Sequence, residues 1–319
     1  MADTKTNLVL FHASCPDGTC SAWAAWKKLG DTADYLSASY HKPIPGNDVF
    51  ADRDVYLVDF SYPLETLERI SQVAKRVTIL DHHKSAAEAL KGTRFAEHIR
   101  QDWSGAHITW DFFHGLGAGR VRSFVASNDP RDVAAKQDLA PEILARAAVA
   151  DELPVIVRYV EDNDIWLHKL PQWEEVKIVG EMMDLNAKDA IQQWDAFAEK
   201  METPAGLSEV KQQGAAILAY RNSIIKRAVH EPAFTFLDGH KVPCVNATNW
   251  QSEIGDILDK KHPFAVMWRM TKDGTFAYSL RSDKQSGVDV AAIAEKFGGG
   301  GHRNSAGFSS NAPPMIIAR

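Results

Sequence analysis

Three short apolar runs in the first ninety residues, each closed by a carboxylate or an imidazole, limit what this chain can fold into more than any other feature. They are Asn7 to His12 (NLVLFH), Asp54 to Phe60 (DVYLVDF) and Arg76 to Asp81 (RVTILD). Helix-like stretches separate them: SAWAAWKKLG, which follows the punctuating SCPDGTC and ends on a glycine, and PLETLERISQVA. A further strand is expected at about Tyr35 to Ser39. Strands alternating with helices predict a parallel sheet with helices on both faces. His12, Asp59 and Asp81 close their strands, and the carboxyl ends of parallel strands are where such sheets build their sites.

A chain of 319 residues exceeds the usual size of one core, which predicts more than one domain. WSGAHITWDFFHG and PVIVRYVEDNDIW read as helical, and the polar stretch from Gly115 to Pro141 between them has no assignable path. Helix-favouring runs from Asn186 to Ala228, interrupted by TPAG, predict a connector. The last hundred residues change character. AFTFL, KVPCVNA, FAVMWRM and TFAYSLRS read as strands with turns at Asp238-Gly239 and Asp273-Gly274, and the helical VDVAAIAEKF runs into Gly298 to Gly301. The expected organisation is an α/β domain over 1–185, a helical connector over 186–228 and a smaller α/β domain over 229–319.

Composition enters mainly by exclusion. The amino terminus MADTKTNLVLF has no long apolar core behind a basic segment, and no stretch approaches the length of a membrane span, so the expectation is a cytoplasmic protein with no membrane partner. Three cysteines, Cys15, Cys20 and Cys244, with no CxxC pair, argue against a disulfide framework and a structural zinc site. A net charge of −6 argues against holding a long duplex, because such binding draws on many Lys and Arg contacts to phosphate. Small anionic substrates remain, held by local cations or a metal.

Asp81-His82-His83 directly follows an apolar strand. A lone tripeptide of this kind is a weak signal. It gains weight from HASCPDG at His12 to Gly18, VDFS at Val58 to Ser61 and VEDNDIW at Val160 to Trp166. Imidazoles and carboxylates together suit Mn²⁺ and similar cations. Two such ions, about 3.5–4 Å apart, can activate a water and neutralise a phosphoryl group under in-line attack.

These segments, in this order, resemble the motifs of the DHH phosphoesterase superfamily, which includes RecJ-type exonucleases, nanoRNases and family II pyrophosphatases. The resemblance covers the first ninety residues, a short piece near Asp162 and the final forty to fifty, and leaves the middle third unmatched. It implies His12 and Asp17 as metal ligands, Asp59 as the bridging carboxylate, and His82 and Asp162 as further ligands. It places His83 toward the phosphate and gives Asp81 the task of orienting a neighbour or a bound water. Glu161 and Asp164 stand beside Asp162 as alternatives more often solvated or structural.

One position departs from the family pattern. Cys15-Pro16-Asp17 puts a thiol where the family usually has the first aspartate of D-x-D. As a thiolate it can ligate metal and shift preference from Mn²⁺ toward Zn²⁺, Fe²⁺ or Co²⁺; as a bystander it leaves one metal site weaker.

FGGGGHRNSAGF, Phe297 to Phe308, resembles the glycine-rich loop of the DHH-associated domain. The resemblance implies substrate binding by Gly299, Gly300, Gly301 and His302, with Arg303 able to reach the same ligand or to face water. SLRSD, Ser279 to Asp283, also resembles that domain, and the resemblance places Arg281 where it could form a bidentate pair with phosphate, the alternative being a surface arginine at a strand end. Trp23, Trp26, Trp103, Trp110 and Trp166 read as core, His107 and His114 as structural, and Cys20 as core packing.

The resulting expectation is a Mn²⁺-dependent hydrolase of short oligonucleotides or small nucleotides, with two ions, acting as monomer or homodimer. The alternatives are a pyrophosphate or polyphosphate hydrolase and a non-catalytic nucleotide-binding protein.

Overall fold

The computed structural model describes residues 5–39, 43–114, 153–285 and 288–317. The Gly115 to Pro141 stretch, whose path the sequence leaves open, lies outside them. The chain divides into two compact units, Met1–Ile217 and Leu218–Arg319. The division falls inside a helix.

In the first unit, strands β1 (Asn7–His12), β2 (Ala33–Ala38), β3 (Asp54–Val58) and β4 (Arg76–Leu80) form a parallel sheet in the order β2-β1-β3-β4. β1 and β3 are the inner strands, and all five residues of β3 are buried, as a strand covered on both faces requires. One face packs Leu8, Leu10, Val55, Leu57 and Ile79 against Leu67 and Ile70 of α3 (Leu64–Ser71). On the other face the Tyr56 ring meets Phe112 and Phe113 of α5 (Gly105–His114). Each fully buried aliphatic side chain contributes about 1.5–3 kcal/mol, so this double layer fixes the register of the strand ends.

The sheet order reverses between β1 and β3, because the chain leaves β1 for one edge and β3 for the other. A crevice opens at such a switch point. Helix α1 (Pro16–Leu29) starts there, with Pro16 in its first turn, Lys27 and Lys28 in its last and Gly30 beyond its end at φ 52°. A short α2 (Asn47–Phe50) precedes β3, and α4 (Lys84–Ala89) follows the DHH tripeptide. Among the described residues, helices α6 (Val155–Asp164), α7 (Trp173–Glu181) and α8 (Ala190–Met201) follow, and then α9 (Pro204–His230), which carries the division. The TPAG interruption is therefore the break between α8 and α9, with Pro204 as the first residue of the new helix.

The second unit is a six-stranded mixed sheet, β5 (Ala233–Leu237), β6 (His240–Asn246), β7 (Ala265–Met270), β8 (Phe276–Arg281), β9 (Gly300–His302) and β10 (Ser305–Ser310), in the order β5-β6-β7-β8-β10-β9. Asp238 (φ 49°) and Gly239 (φ 79°) form the left-handed two-residue turn joining β5 to β6. Helices α10 (Gln251–Leu258) and α11 (Val290–Glu295) supply the helical part. Half of the expected glycine loop is a strand: Gly300–His302 pairs antiparallel with β10. A Cβ on Gly299 would stand 2.1 Å from the Gly307 carbonyl oxygen, so close backbone packing alone demands glycine there.

Among the described residues no helix is long and apolar enough to cross a membrane.

Candidate metal centre

Strands β1, β3 and β4 each deliver an imidazole or a carboxylate at the carboxyl edge of the sheet. His12 is the last residue of β1, Asp59 follows β3, and Asp81 follows β4. Asp59 sits at φ 51°, a left-handed backbone uncommon outside glycine, and its N–H donates to the Leu80 carbonyl at 2.8 Å, so the turn is held by β4. The two oxygens of Asp59 face different groups. Oδ2 lies 3.4 Å from His12 Nδ1 and Oδ1 lies 3.1 Å from His82 Nε2.

Asp17 comes from the first turn of α1 and is buried. Its carboxylate accepts the N–H groups of Gly105 (2.7 Å) and Ala106 (2.8 Å) at the start of α5, which locks two helices around one acid. His82 Nε2 stands 3.6 Å from Asp17 Oδ2 and 3.3 Å from Asp164 Oδ2. Asp81 works behind the imidazoles: its Oδ1 accepts from the backbone N–H of His82 (2.7 Å) and His83 (3.1 Å) and from His83 Nδ1 (2.8 Å).

Two glycines make this convergence feasible. A Cβ on Gly18 would fall 2.3 Å from the His12 carbonyl oxygen, and one on Gly105 would fall 2.5 Å from Asp59 Cβ. Gly105 carries no chemistry of its own, and sequence reasoning misses it. Its one signal is its place at the start of the helical WSGAH run, which becomes meaningful only once Asp59 is seen beside it.

Among the described residues, the ligand-capable atoms fall into three linked groups: His12, Cys15 and Asp59; Asp17, His82 and Asp164; and Asp59, Asp81, His82 and His83. Asp59 and His82 are the shared members. The groups fit a cation on independent grounds. Asp59 Oδ2 and Asp164 Oδ2 are buried without a well-formed hydrogen bond, an arrangement that is costly without a positive partner. Burial, followed by the neighbouring Asp59 and Asp164, pushes the Asp17 carboxyl well above the usual range. Burial opposes ionisation of Asp59 too, but hydrogen-bonding contact with the His12 and His82 rings overcomes it and holds that carboxyl below its ordinary value. His83 is raised to about 9, chiefly by its hydrogen bond to Asp81. Burial, then the Asp59 and Asp17 charges, push the Cys15 thiol upward. Several crowded acids next to a thiol, all favoured as anions by a bound cation, are the donor set of a borderline metal.

Of the residues singled out from sequence, the structure brings together His12, Cys15, Asp17, Asp59, Asp81, His82 and His83. It does not bring Asp162. That carboxylate is buried and accepts the N–H groups of Lys169 (2.8 Å) and Leu170 (3.2 Å) beyond the end of α6. Asp164, two residues on, is the α6 acid that reaches His82. Glu161 instead pairs with His107 Nδ1 at 2.5 Å and accepts the Ser104 N–H.

In the second unit Arg281 is half-buried, with Nη2 donating to Ser252 Oγ at 3.1 Å, while His302 and Arg303 are exposed. The expectation of a core Trp166 is overturned: it is 80% exposed, because α6 ends at Asp164 and the chain turns away before the next helical turn could bury it. Trp23 and Trp103 are buried, with Trp26 and Trp110 half-buried.

No family model matches the chain. An uncharacterized protein of Acanthamoeba polyphaga mimivirus, R106, is 25% identical over 330 residues, covering 96% of this chain and 68% of that protein. The oligoribonuclease NrnB of Bacillus subtilis is 34% identical over 85 residues, which is 27% of this chain and 21% of NrnB. Among solved structures, the pGpG-specific phosphodiesterase PggH of Vibrio cholerae superposes with a TM-score of 0.50 at 13% identity, covering 96% of this chain and 93% of that one. The chain shares the fold of PggH.

Proposed function

We propose that this protein is a metal-dependent phosphoesterase that hydrolyses phosphate esters of short oligonucleotides or small nucleotides. The observation that carries the reading is the position of Asp59, one oxygen toward His12 and the other toward His82, at the junction of two ligand groups. The activities named for NrnB and PggH supply the substrate class.

His12, Cys15 and Asp59 would hold one ion, and Asp17, His82, Asp164 and Asp59 a second, with Asp164 taking the place the resemblance gives to Asp162. Bound Mn²⁺ would supply an activated water and charge neutralisation at the phosphoryl group. The chain's own residues do the rest. Asp81 fixes the His83 ring through Nδ1 and leaves Nε2 for substrate. His83, with Nε2 free of Asp81, would donate from that nitrogen to negative charge growing on the phosphoryl oxygens. Asp17, clamped by the start of α5, keeps its oxygens at a fixed depth. In the second unit, Arg281, Gly299, Gly300, Gly301, His302 and Arg303 are the candidates for gripping the far part of the substrate.

The test is release of mononucleotide or phosphate from dinucleotides, pentanucleotides, longer RNA and DNA, bisphosphonucleosides and pyrophosphate, with Mn²⁺ and with chelator, beside Asp59→Ala. Mn²⁺-dependent cleavage of the short nucleotides, lost in Asp59→Ala, is the expected result. Cleavage of pyrophosphate alone would move the protein to the other hydrolase class, and no turnover with retained nucleotide binding would leave a binding protein.

A further inference from the structure

The segment after α6 is built as a rigid mount for one aromatic side chain. Trp166 is 80% exposed and Leu167 beside it 41%. The backbone beneath is strained: Trp166 has φ 58° and His168 φ 50°, left-handed values that bulky residues rarely adopt. Such a conformation persists only where its surroundings impose it. Here they do so through the Trp166 N–H on the Asn163 carbonyl (3.2 Å), the His168 N–H on the Asp162 carbonyl (3.0 Å) and the Asp162 carboxylate on the Lys169 and Leu170 N–H groups. The Tyr159 hydroxyl ties the far end by donating to the Pro171 carbonyl at 2.9 Å. His168 stacks face to face on Trp173, with centroids 3.8 Å apart and planes 3° from parallel, and the Trp166 ring lies 5.4 Å from His168.

A single exposed tryptophan is common enough in itself. Three things set this one apart. Its backbone is held in a costly conformation, the buried acid that holds it lies on the same helix as a member of the metal centre, and the distance between the two is short. Asp164 stands 3.3 Å from His82, and two residues of chain carry Trp166 at most about 7 Å beyond the Asp164 α-carbon. A flat π-face on a fixed mount suits another planar π-system, and base stacking on aromatic side chains is tolerant of sequence.

We infer that Trp166 is a nucleobase platform, on which a purine or pyrimidine stacks while its own or the adjoining phosphate lies at the Asp59 cluster. The inference rests on the proposed phosphoesterase reading for the place of the phosphate and adds that the ligand's base is recognised, by its face. Asp162 is a positioning residue for this platform, acting through the Lys169 and Leu170 amides.

The test compares adenosine 5′-monophosphate with ribose 5-phosphate, which differ only by the base. Their binding to the full-length, Mn²⁺-loaded protein is measured by calorimetry for wild type, Trp166→Ala and Trp166→Phe, beside dinucleotide turnover. Wild type is expected to bind the nucleotide about tenfold or more tightly than the sugar phosphate, the range one base stack supplies. Trp166→Ala should lose that ratio while leaving ribose 5-phosphate affinity unchanged, and Trp166→Phe should restore most of it. Equal binding of the two ligands by wild type, or an unchanged ratio in Trp166→Ala, overturns the platform and leaves the phosphoesterase standing if turnover is present. Absence of Mn²⁺-dependent turnover with a Trp166-dependent ratio overturns the phosphoesterase alone and keeps the platform.

Discussion

Asp162 and Asp164 lie two residues apart at the end of one helix and serve different structures. Asp164 Oδ2 stands 3.3 Å from His82 Nε2, whereas both Asp162 oxygens are spent on backbone N–H groups of the following loop. Their α-carbons are about 200° apart around a helix of 3.6 residues per turn, so one faces the crevice while the other faces its own chain.

That division predicts opposite phenotypes. Asp164→Asn removes a metal-facing carboxylate and should weaken Mn²⁺ binding by about a hundredfold or more, with urea stability of the metal-free protein changed by less than about 1 kcal/mol. Asp162→Ala removes a buried carboxylate and its two hydrogen bonds to the Lys169 and Leu170 N–H groups and should lower stability by about 1–3 kcal/mol. Calorimetry and urea unfolding on both variants check this; a larger loss of metal affinity in Asp162→Ala than in Asp164→Asn would reverse the assignment.

Gly105 should be intolerant of a methyl group. Its Cβ would meet Asp59 Cβ at 2.5 Å and Asp17 Oδ2 at 3.0 Å, so Gly105→Ala must push apart two acids of the cluster. The expected cost is about 1–3 kcal/mol of stability together with reduced Mn²⁺ affinity. Gly300→Ala, where no atom lies within 4 Å of the added carbon, is the matched control and should unfold as wild type does.

Stability of the metal-free protein should fall on the alkaline side. The hydrogen bond to Asp81 pushes His83 in the metal-free fold up to about 9 from its ordinary 6.5. A histidine with a raised folded value gives its full stabilisation below 6.5 and loses it as the pH rises through about 9. Urea midpoints in chelator are expected to decline across that window, and His83→Ala should flatten the decline. His82, in which hydrogen bonding and attraction by Asp59 outweigh burial to give a raised value, supplies a remaining slope.

Metal loading should reverse that dependence and release protons. A cation competes with the proton on Asp17 and with those on His82, so Mn²⁺ affinity should rise with pH from acid toward neutral. Calorimetry at one pH in two buffers of different ionisation enthalpy measures the protons released, and identical heats would contradict the prediction.

Cys15 should report on the metal by spectroscopy. Burial and the charges of Asp59 and Asp17 keep its thiol protonated without metal, so alkylation in chelator should be slow at pH 8. Co²⁺ loading should produce a thiolate-to-cobalt charge-transfer band that is missing in Cys15→Ser. No band in the wild type would remove Cys15 from the ligand set and leave that group to His12 and Asp59.

Much of this architecture is legible in the amino-acid sequence. Apolar runs of five or six residues can only be strands when helical segments separate them, and a parallel sheet puts their last residues at one edge. His12, Asp59 and Asp81 follow from that pattern, because strand formation and face are set locally by burial. The two-residue turn at Asp238-Gly239 is equally local, since it depends on the left-handed backbone of two adjacent positions.

What the tertiary structure alone decided are relations between residues far apart in the chain or set by where an element stops. The pattern VEDNDIW contains three acids, and which of them reaches His82 depends on the rotation of α6 against the sheet, a packing outcome with no counterpart in the string. The same helix end turned Trp166 outward, although its neighbours read as core. Gly105 looks ordinary until Asp59, far earlier in the chain, is found against it. Sequence thus determined which chemical groups the strand ends deliver, because strand formation is governed by local burial. Only packing decided which carboxylates converge on one point, because that requires helices from distant segments to settle at fixed rotations around the sheet.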